Sequence, residues 1–222
     1  MSDAPIWTML PMSNPMLKTV PLRLFRPGAK GKWDITEIAK ANASYITGKG
    51  LSDQLRPSGL WYDRGSAWLT EGSTAALLET TKVFLINSMI FLSRDVAASL
   101  ARLELGNGRL TRMPIYRADL ESEFDVDFFL FEFANLKDTV DRDLTERCRP
   151  LYRSHPERGF NLSQDLSRLD VFVHRAAASG PDFWFDPMIN QRQFLSDRAA
   201  KVLIDHGLES EFALKECRFT GD

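Results

Sequence analysis

Asp125 and Asp127 form an Asp-x-Asp pair, a spacing that holds a divalent cation in some enzymes. The pair leads into Val126-Asp127-Phe128-Phe129-Leu130-Phe131-Glu132-Phe133, the most apolar stretch of the chain, so its charges can equally mark where a buried segment begins. Glu132 stands between Phe131 and Phe133. A carboxylate buried alone is costly. Glu132 therefore lies at a sheet rim, or pairs with an arginine, or has a raised pKa and serves as a general acid. A hydrolytic triad needs a base beside its nucleophile, and only His155, His174 and His206 could supply one. His155 falls in a charged stretch and His174 on a strand face. His206 falls at a helix C-terminus, where a partly cationic imidazole suits the dipole. For all three, structural roles account for the placement. The sequence contains no HExxH, CxxC or HxxxH. Gly48-Lys49-Gly50 lacks the spacing of a phosphate loop. Cys148 and Cys217 lie far apart, each beside an arginine, and read as two free thiols, with one long-range disulfide as the alternative.

Recognition chemistry is better represented. Trp61, Tyr62, Arg64 and Trp68 sit in a Gly/Pro-rich segment over 51–72. Aromatics with arginine on such a segment make a binding surface, unless the rings fold inward over the loop. A second candidate is the charged stretch over 134–160, with Asp138, Asp141, Asp143 and Glu146, broken by Pro150, Pro156 and Gly159. It reads as a surface excursion with room for a short helix. A net charge of −2 argues against a general nucleic-acid binder. No run approaches the roughly 20 apolar residues of a membrane span. Met1-Ser2-Asp3 opens without a basic or apolar signal segment, so a cytoplasmic location is expected.

These residues need a frame. A chain of 222 residues buries a sizeable core, and fifteen Phe with five Trp make that core aromatic. Residues 1–19, with Pro5, Pro11 and Pro15, read as an extended N-terminal arm. A single domain is expected over 20–222. Val20–Phe25 reads as an edge strand, followed by a Pro27-Gly28 turn. Asp34 and Glu37 mark a helix start and Gly48 its end. Ser73 caps a second helix, and Val83–Ile86 stays ambiguous between helix and strand. Further strands are expected at Met89–Leu92, Arg112–Arg117, Val126–Phe133, Leu169–His174 and Phe183–Asp186.

Phe91-Leu92-Ser93-Arg94-Asp95-Val96-Ala97-Ala98-Ser99-Leu100 is echoed by Phe194-Leu195-Ser196-Asp197-Arg198-Ala199-Ala200-Lys201-Val202-Leu203. Each copy is a strand end, a serine N-cap and an amphipathic helix. The echo is either a common unit met twice or the trace of two similar β-helix-β halves dividing near residue 118. The expected class is α+β, with helices packed on a mixed or antiparallel sheet.

Met113-Pro114-Ile115-Tyr116-Arg117-Ala118-Asp119 leads into Asp127-Phe128-Phe129-Leu130-Phe131-Glu132-Phe133-Ala134-Asn135-Leu136-Lys137. With Phe194-Leu195-Ser196-Asp197, Leu203, Gly207-Leu208 and Phe212, this resembles the eleventh immunity-protein family of bacterial polymorphic toxin systems. The likeness covers about the last half of the chain. It implies a cytoplasmic α+β protein that binds and neutralises a cognate toxin delivered by contact or by a secretion system. The family offers no catalytic motif to carry over, in keeping with the absence of such motifs above, and no catalysis, cofactor or metal is expected. The partner would be the toxin, not nucleic acid or membrane. Trp61, Tyr62, Arg64, Trp68, Asp138, Asp141, Asp143 and Glu146 are the expected partner-binding residues, with the acidic stretch suited to a basic toxin. The alternative is an enzyme or small-ligand protein with an acidic site at the sheet edge, using Asp125, Asp127 or Glu132, with or without an arginine.

Overall fold

The computed structural model describes residues 4–11, 17, 20–26, 33–65, 68–165 and 168–221. Its strands are β1 (Ile6–Met9), β2 (Leu22–Phe25), β3 (Gly59–Tyr62), β4 (Val83–Ile86), β5 (Met89–Ser93), β6 (Arg109–Met113), β7 (Ile115–Tyr116) and β8 (Phe128–Glu132). They continue with β9 (Arg149–Pro150), β10 (Phe160–Asn161), β11 (Phe172–Val173), β12 (Phe183–Phe185), β13 (Gln193–Ser196), β14 (Lys215–Glu216) and β15 (Arg218–Phe219). The helices are α1 (Ile35–Ile46), α2 (Glu71–Thr80), α3 (Arg94–Leu100), α4 (Asp197–Asp205) and α5 (Glu209–Phe212). The class is α+β.

Two four-stranded antiparallel sheets separate three apolar cores. The first sheet has the order β4-β5-β8-β6. Side chains alternate across a strand, and here both faces are buried. Val83, Leu85, Ile90, Leu92 and Phe131 enter a central core. Phe84, Ile86, Met89, Phe91, Phe128 and Leu130 enter a flanking one. The Phe-rich segment is thus an inner strand covered on both sides, as its composition suggests. The ambiguous Val83–Ile86 is a strand. Asn87 and Ser88, both at positive φ (48° and 63°), turn it tightly into β5.

The second sheet has the order β12-β13-β1-β14. Met9, Phe183, Phe185 and Leu195 enter the same central core, while Ile6, Trp184 and Phe194 enter a third. The N-terminal segment is therefore not an arm outside the domain. Ile6–Met9 is extended, but it runs between β13 and β14 as an inner strand. Its alternating Ile6 and Met9 supply apolar groups to two cores, and that burial outweighs the proline signals around it. The rest of 1–19, apart from residues 4, 5, 10, 11 and 17, lies outside the described residues, as does the Pro27-Gly28 turn.

The echoed segments are β5–α3 and β13–α4. Val96, Ala97 and Leu100 of α3 meet Ala199, Ala200 and Leu203 of α4 in the central core. Each unit's strand sits at the second position of a four-stranded sheet. A cut near residue 118 does not separate two halves, however, because β1 comes from the chain start and completes the second sheet.

The outer layers follow the sequence less closely. β2, β3 and β7 form a small sheet over the flanking core with α1 and α2, and β2 is its edge strand as expected. Asp34 caps α1, accepting from the Thr36 and Glu37 amides at 2.8 and 3.3 Å. Thr70, not Ser73, caps α2: its Oγ1 accepts from the Ser73 amide at 3.1 Å. Ser196 caps α4 through the Ala199 amide, whereas Ser93 occupies the equivalent position of α3 without a side-chain bond. Pro114 splits the expected 112–117 strand into β6 and β7. Only Phe172–Val173 of the expected 169–174 strand is paired, parallel to β15.

Candidate functional site

The two recognition candidates attach to different sheets and do not form one patch. Trp61 and Tyr62 belong to β3 and are buried, so they are not available as partner contacts. β3 pairs on both edges; its Leu60 and Tyr62 pack on the flanking core, while Trp61 lies on the opposite face of the strand. The Tyr62 hydroxyl donates to the Leu69 carbonyl at 2.6 Å. Trp61 lines a cleft of about 320 Å³ with Trp33, Ile38 and the Arg23–Asp63 pair, which closes at 2.7 Å. Arg64 is exposed, and Trp68 is 66% exposed.

The acidic candidates at the first sheet separate as well. Asp125 and Asp127 line an open cleft of about 510 Å³ with Arg94, Arg112 and Glu123. Asp127 is already paired. Arg112 Nε donates to Oδ1 at 2.7 Å, and Arg94 meets Oδ2. Glu132 lies at the other end of β8, about 16 Å away at the rise of an extended strand. It is 1% exposed. Its oxygens accept from Arg56 Nε at 2.9 Å and the Leu51 amide at 3.0 Å, and Arg109 Nε approaches to 3.2 Å. Of the three expectations for Glu132, arginine pairing is the one observed. It ties the 51–56 loop to the sheet. The three carboxylates therefore do not converge on one point.

The histidines take separate positions. His155 meets Glu157 at 3.0 Å on the surface, and His174 is exposed. His206 is the C-cap of α4, and its Nε2 lies 2.9 Å from Ser99 Oγ of α3. Cys148 and Cys217 are unpaired thiols, and burial pushes both pKa values up, that of Cys148 to about 11. Among the described residues, no group of three or more His, Cys, Asp or Glu is placed to hold a metal ion.

The excursion over 134–160 is the better defined surface. No α-helix forms there; turns, the β9–β10 ladder and a 3-10 turn at Pro156–Arg158 make it up. Its first part is tied down from beneath. The buried Asp186 carboxylate accepts from the Thr139 and Val140 amides at 2.8 and 2.9 Å and from the Met188 amide at 2.9 Å. Burial raises the Asp186 pKa, and the three amides oppose that rise. Trp184 Nε1 donates to Thr139 Oγ1 at 3.1 Å. The Phe172 amide donates to Thr145 Oγ1 at 3.0 Å. Asp141 folds the tip by accepting from the Asp143 and Leu144 amides at 3.1 and 3.0 Å.

On this base Leu136, Leu144 and Tyr152 stand about half exposed. Asp138, Asp143 and Glu146 are exposed, while Asp141 is partly covered. Asp138 pairs with Arg142 at 2.8 Å. The acidic character is local. Residues 138–146 carry four carboxylates against one arginine, but Arg147, Arg149, Arg153 and Arg158 follow against Glu157 alone. The excursion is thus an acidic lip beside a basic one, not acidic throughout.

Two features escaped sequence reading. In the sequence Asp186 is the end of an aromatic strand, and nothing local shows that it caps a distant loop. Asp182, in the Ser179-Gly180-Pro181-Asp182 turn, is fully buried and accepts from the Glu104 amide at 2.7 Å, from Ser196 Oγ and from Arg198. It joins the end of one echoed unit to the cap of the other. No family model, curated protein or solved structure matches the chain.

Proposed function

We propose that this protein is a binding module whose working surface is the 136–152 excursion, and that it is an immunity protein neutralising a cognate bacterial toxin in the cytoplasm. The observation that carries the reading is the excursion itself. Leu144, between Asp143 and Glu146, and Leu136, two residues before Asp138, are exposed apolar groups on a segment tied down by the buried Asp186. Apolar anchors within a polar rim are how protein interfaces are built, and prior ordering of the segment reduces the entropy lost on binding. The choice of partner rests on the resemblance of residues 113–137 and 194–212 to the immunity family. The acidic lip suits a basic patch on the toxin, and the adjoining arginines orient it by suiting an acidic one. Pairing of Asp127 with two arginines, and of Glu132 with Arg56 and Arg109, weighs against the acidic-enzyme alternative, since both carboxylates are already compensated.

Co-expression with the protein encoded by the adjacent gene tests this. The expected result is a stoichiometric complex and protection of cells from that protein. No complex, or protection without one, would overturn the reading.

A further inference from the structure

Arg192 is the least expected side chain in the molecule. It is only 2% exposed, and no carboxylate forms an ion pair with it among the described residues. Of its five N–H donors, one contact is made, from Nη2 to the Ser163 carbonyl at 2.7 Å. Nη1 is buried without an acceptor. The ionisable neighbour of Arg192 is the Cys217 thiol, which burial keeps protonated and therefore uncharged. Burial lowers the guanidinium pKa to about 10, so the cation persists at neutral pH. A buried cation with no counter-charge is costly to fold.

Arg192 lines a cleft of about 270 Å³. Around it stand the exposed amides Asn161, Gln164, Asn190 and Gln191, with Ser88 from the β4–β5 turn. Asn190 Nδ2 donates to Asn161 Oδ1 at 3.0 Å, which leaves the second amide hydrogens and the other oxygens for a ligand. This set of groups offers one buried positive charge within a neutral rim that both donates and accepts. The volume lies near the lower end of small-molecule sites.

We propose that this cleft is an anion site that takes a small hydroxylated oxyanion, a phosphate or a carboxylate, on the Arg192 guanidinium. The guanidinium supplies the charge and a planar fork of donors, and the rim amides bond to the ligand's hydroxyl groups. The site adjoins the 136–152 surface through the β9–β10 ladder, where Asn161 lies opposite Arg149, but the anion reading does not depend on the immunity reading.

The test is NMR titration of the whole protein with inorganic phosphate and, separately, with citrate, each against chloride at equal ionic strength. Saturable shifts confined to residues 88, 161–164 and 190–192 are expected with at least one of them, and the preferred anion separates phosphate from carboxylate recognition. Arg192→Met should weaken that binding by roughly tenfold or more, the value of a charge-assisted contact. Gln164→Glu keeps the buried arginine and puts a like charge at the rim. It should weaken binding also, so the idea remains testable if the first variant fails to fold. Shifts no different from those with chloride, shifts scattered over other surfaces, or equal binding by Gln164→Glu and wild type would overturn the proposal and leave water as the partner of Nη1.

Discussion

Removing the Asp186 carboxylate should loosen the excursion and lower stability by a calculable amount. Three backbone donors end on it, from Thr139, Val140 and Met188, all within 2.9 Å. Asp186→Ala leaves all three unpaired, at about 1–3 kcal/mol for each buried donor. Against this, the variant no longer buries a carboxylate, whose raised pKa shows that desolvation is incompletely offset. The net expectation is a loss of about 3–5 kcal/mol, or roughly 10 °C in Tm for a chain of this size. Asp186→Asn keeps one acceptor oxygen but turns an NH₂ toward at least one donor. Its expected loss is about 1–2 kcal/mol. Urea unfolding with an unchanged m-value measures both losses. Hydrogen exchange at the Thr139 and Val140 amides locates the effect, since these should lose protection first. A loss below about 1 kcal/mol for Asp186→Ala, or wild-type protection of these two amides in that variant, would refute the reasoning. The sign with pH is also fixed. Because the folded-state pKa is raised, the folded protein takes up this proton before the unfolded chain as pH falls. Asp186 therefore favours the folded state on acidification and does not drive acid unfolding.

Other perturbations follow from the same contacts. Phe131→Ala should cost about 3–5 kcal/mol in chemical unfolding, because its ring is fully buried; Phe129, on the same face but only partly buried, should cost clearly less, and equal losses would contradict that difference in burial. Gln193 is fully buried with both amide atoms unpaired, so Gln193→Met should stabilise by about 1 kcal/mol, and destabilisation would show that the amide has a partner such as water. Burial lowers the Lys137 pKa to about 8, even though the Ala177 and Ser179 carbonyls and the Trp184 face favour its charged form. Between that value and the ordinary 10.5 the unfolded chain holds the proton and the folded one has released it, so stability should rise with pH there. Wild type should gain on Lys137→Met across that window, and a constant difference would count against it.

What could be read from the chain was local. Asp34 with Glu37, Gly48, Ser196 and the Phe-rich β8 act through neighbours a few residues away, and each took its expected place. At Gly48 the backbone adopts φ 69° and an added Cβ would lie 2.6 Å from the Phe185 ring, so the turn and the packing both require glycine. What could not be read was long-range. Ile6–Met9 becomes an inner strand because β13 and β14, nearly 200 residues later, flank it. Trp61 and Tyr62 carry the residue types of a binding loop, and only the fold shows both buried, Tyr62 on the flanking core and Trp61 on the other face of β3 beside Trp33. Asp186 holds a loop some 46 residues earlier, and Arg192 is buried by groups from distant segments. For the same reason the excursion was visible as charged and surface-bound, while its rigid base and its division into acidic and basic lips emerged from the fold and from a wider count of charges.

The central claim is that the tip of the excursion is the surface that grips another protein. Titration calorimetry of the adjacent gene's product against wild type and Leu144→Lys tests it most directly. The account predicts one-to-one binding that Leu144→Lys weakens by roughly tenfold or more, as for an interface anchor, with folding unchanged. A tight complex indifferent to Leu144→Lys would contradict it.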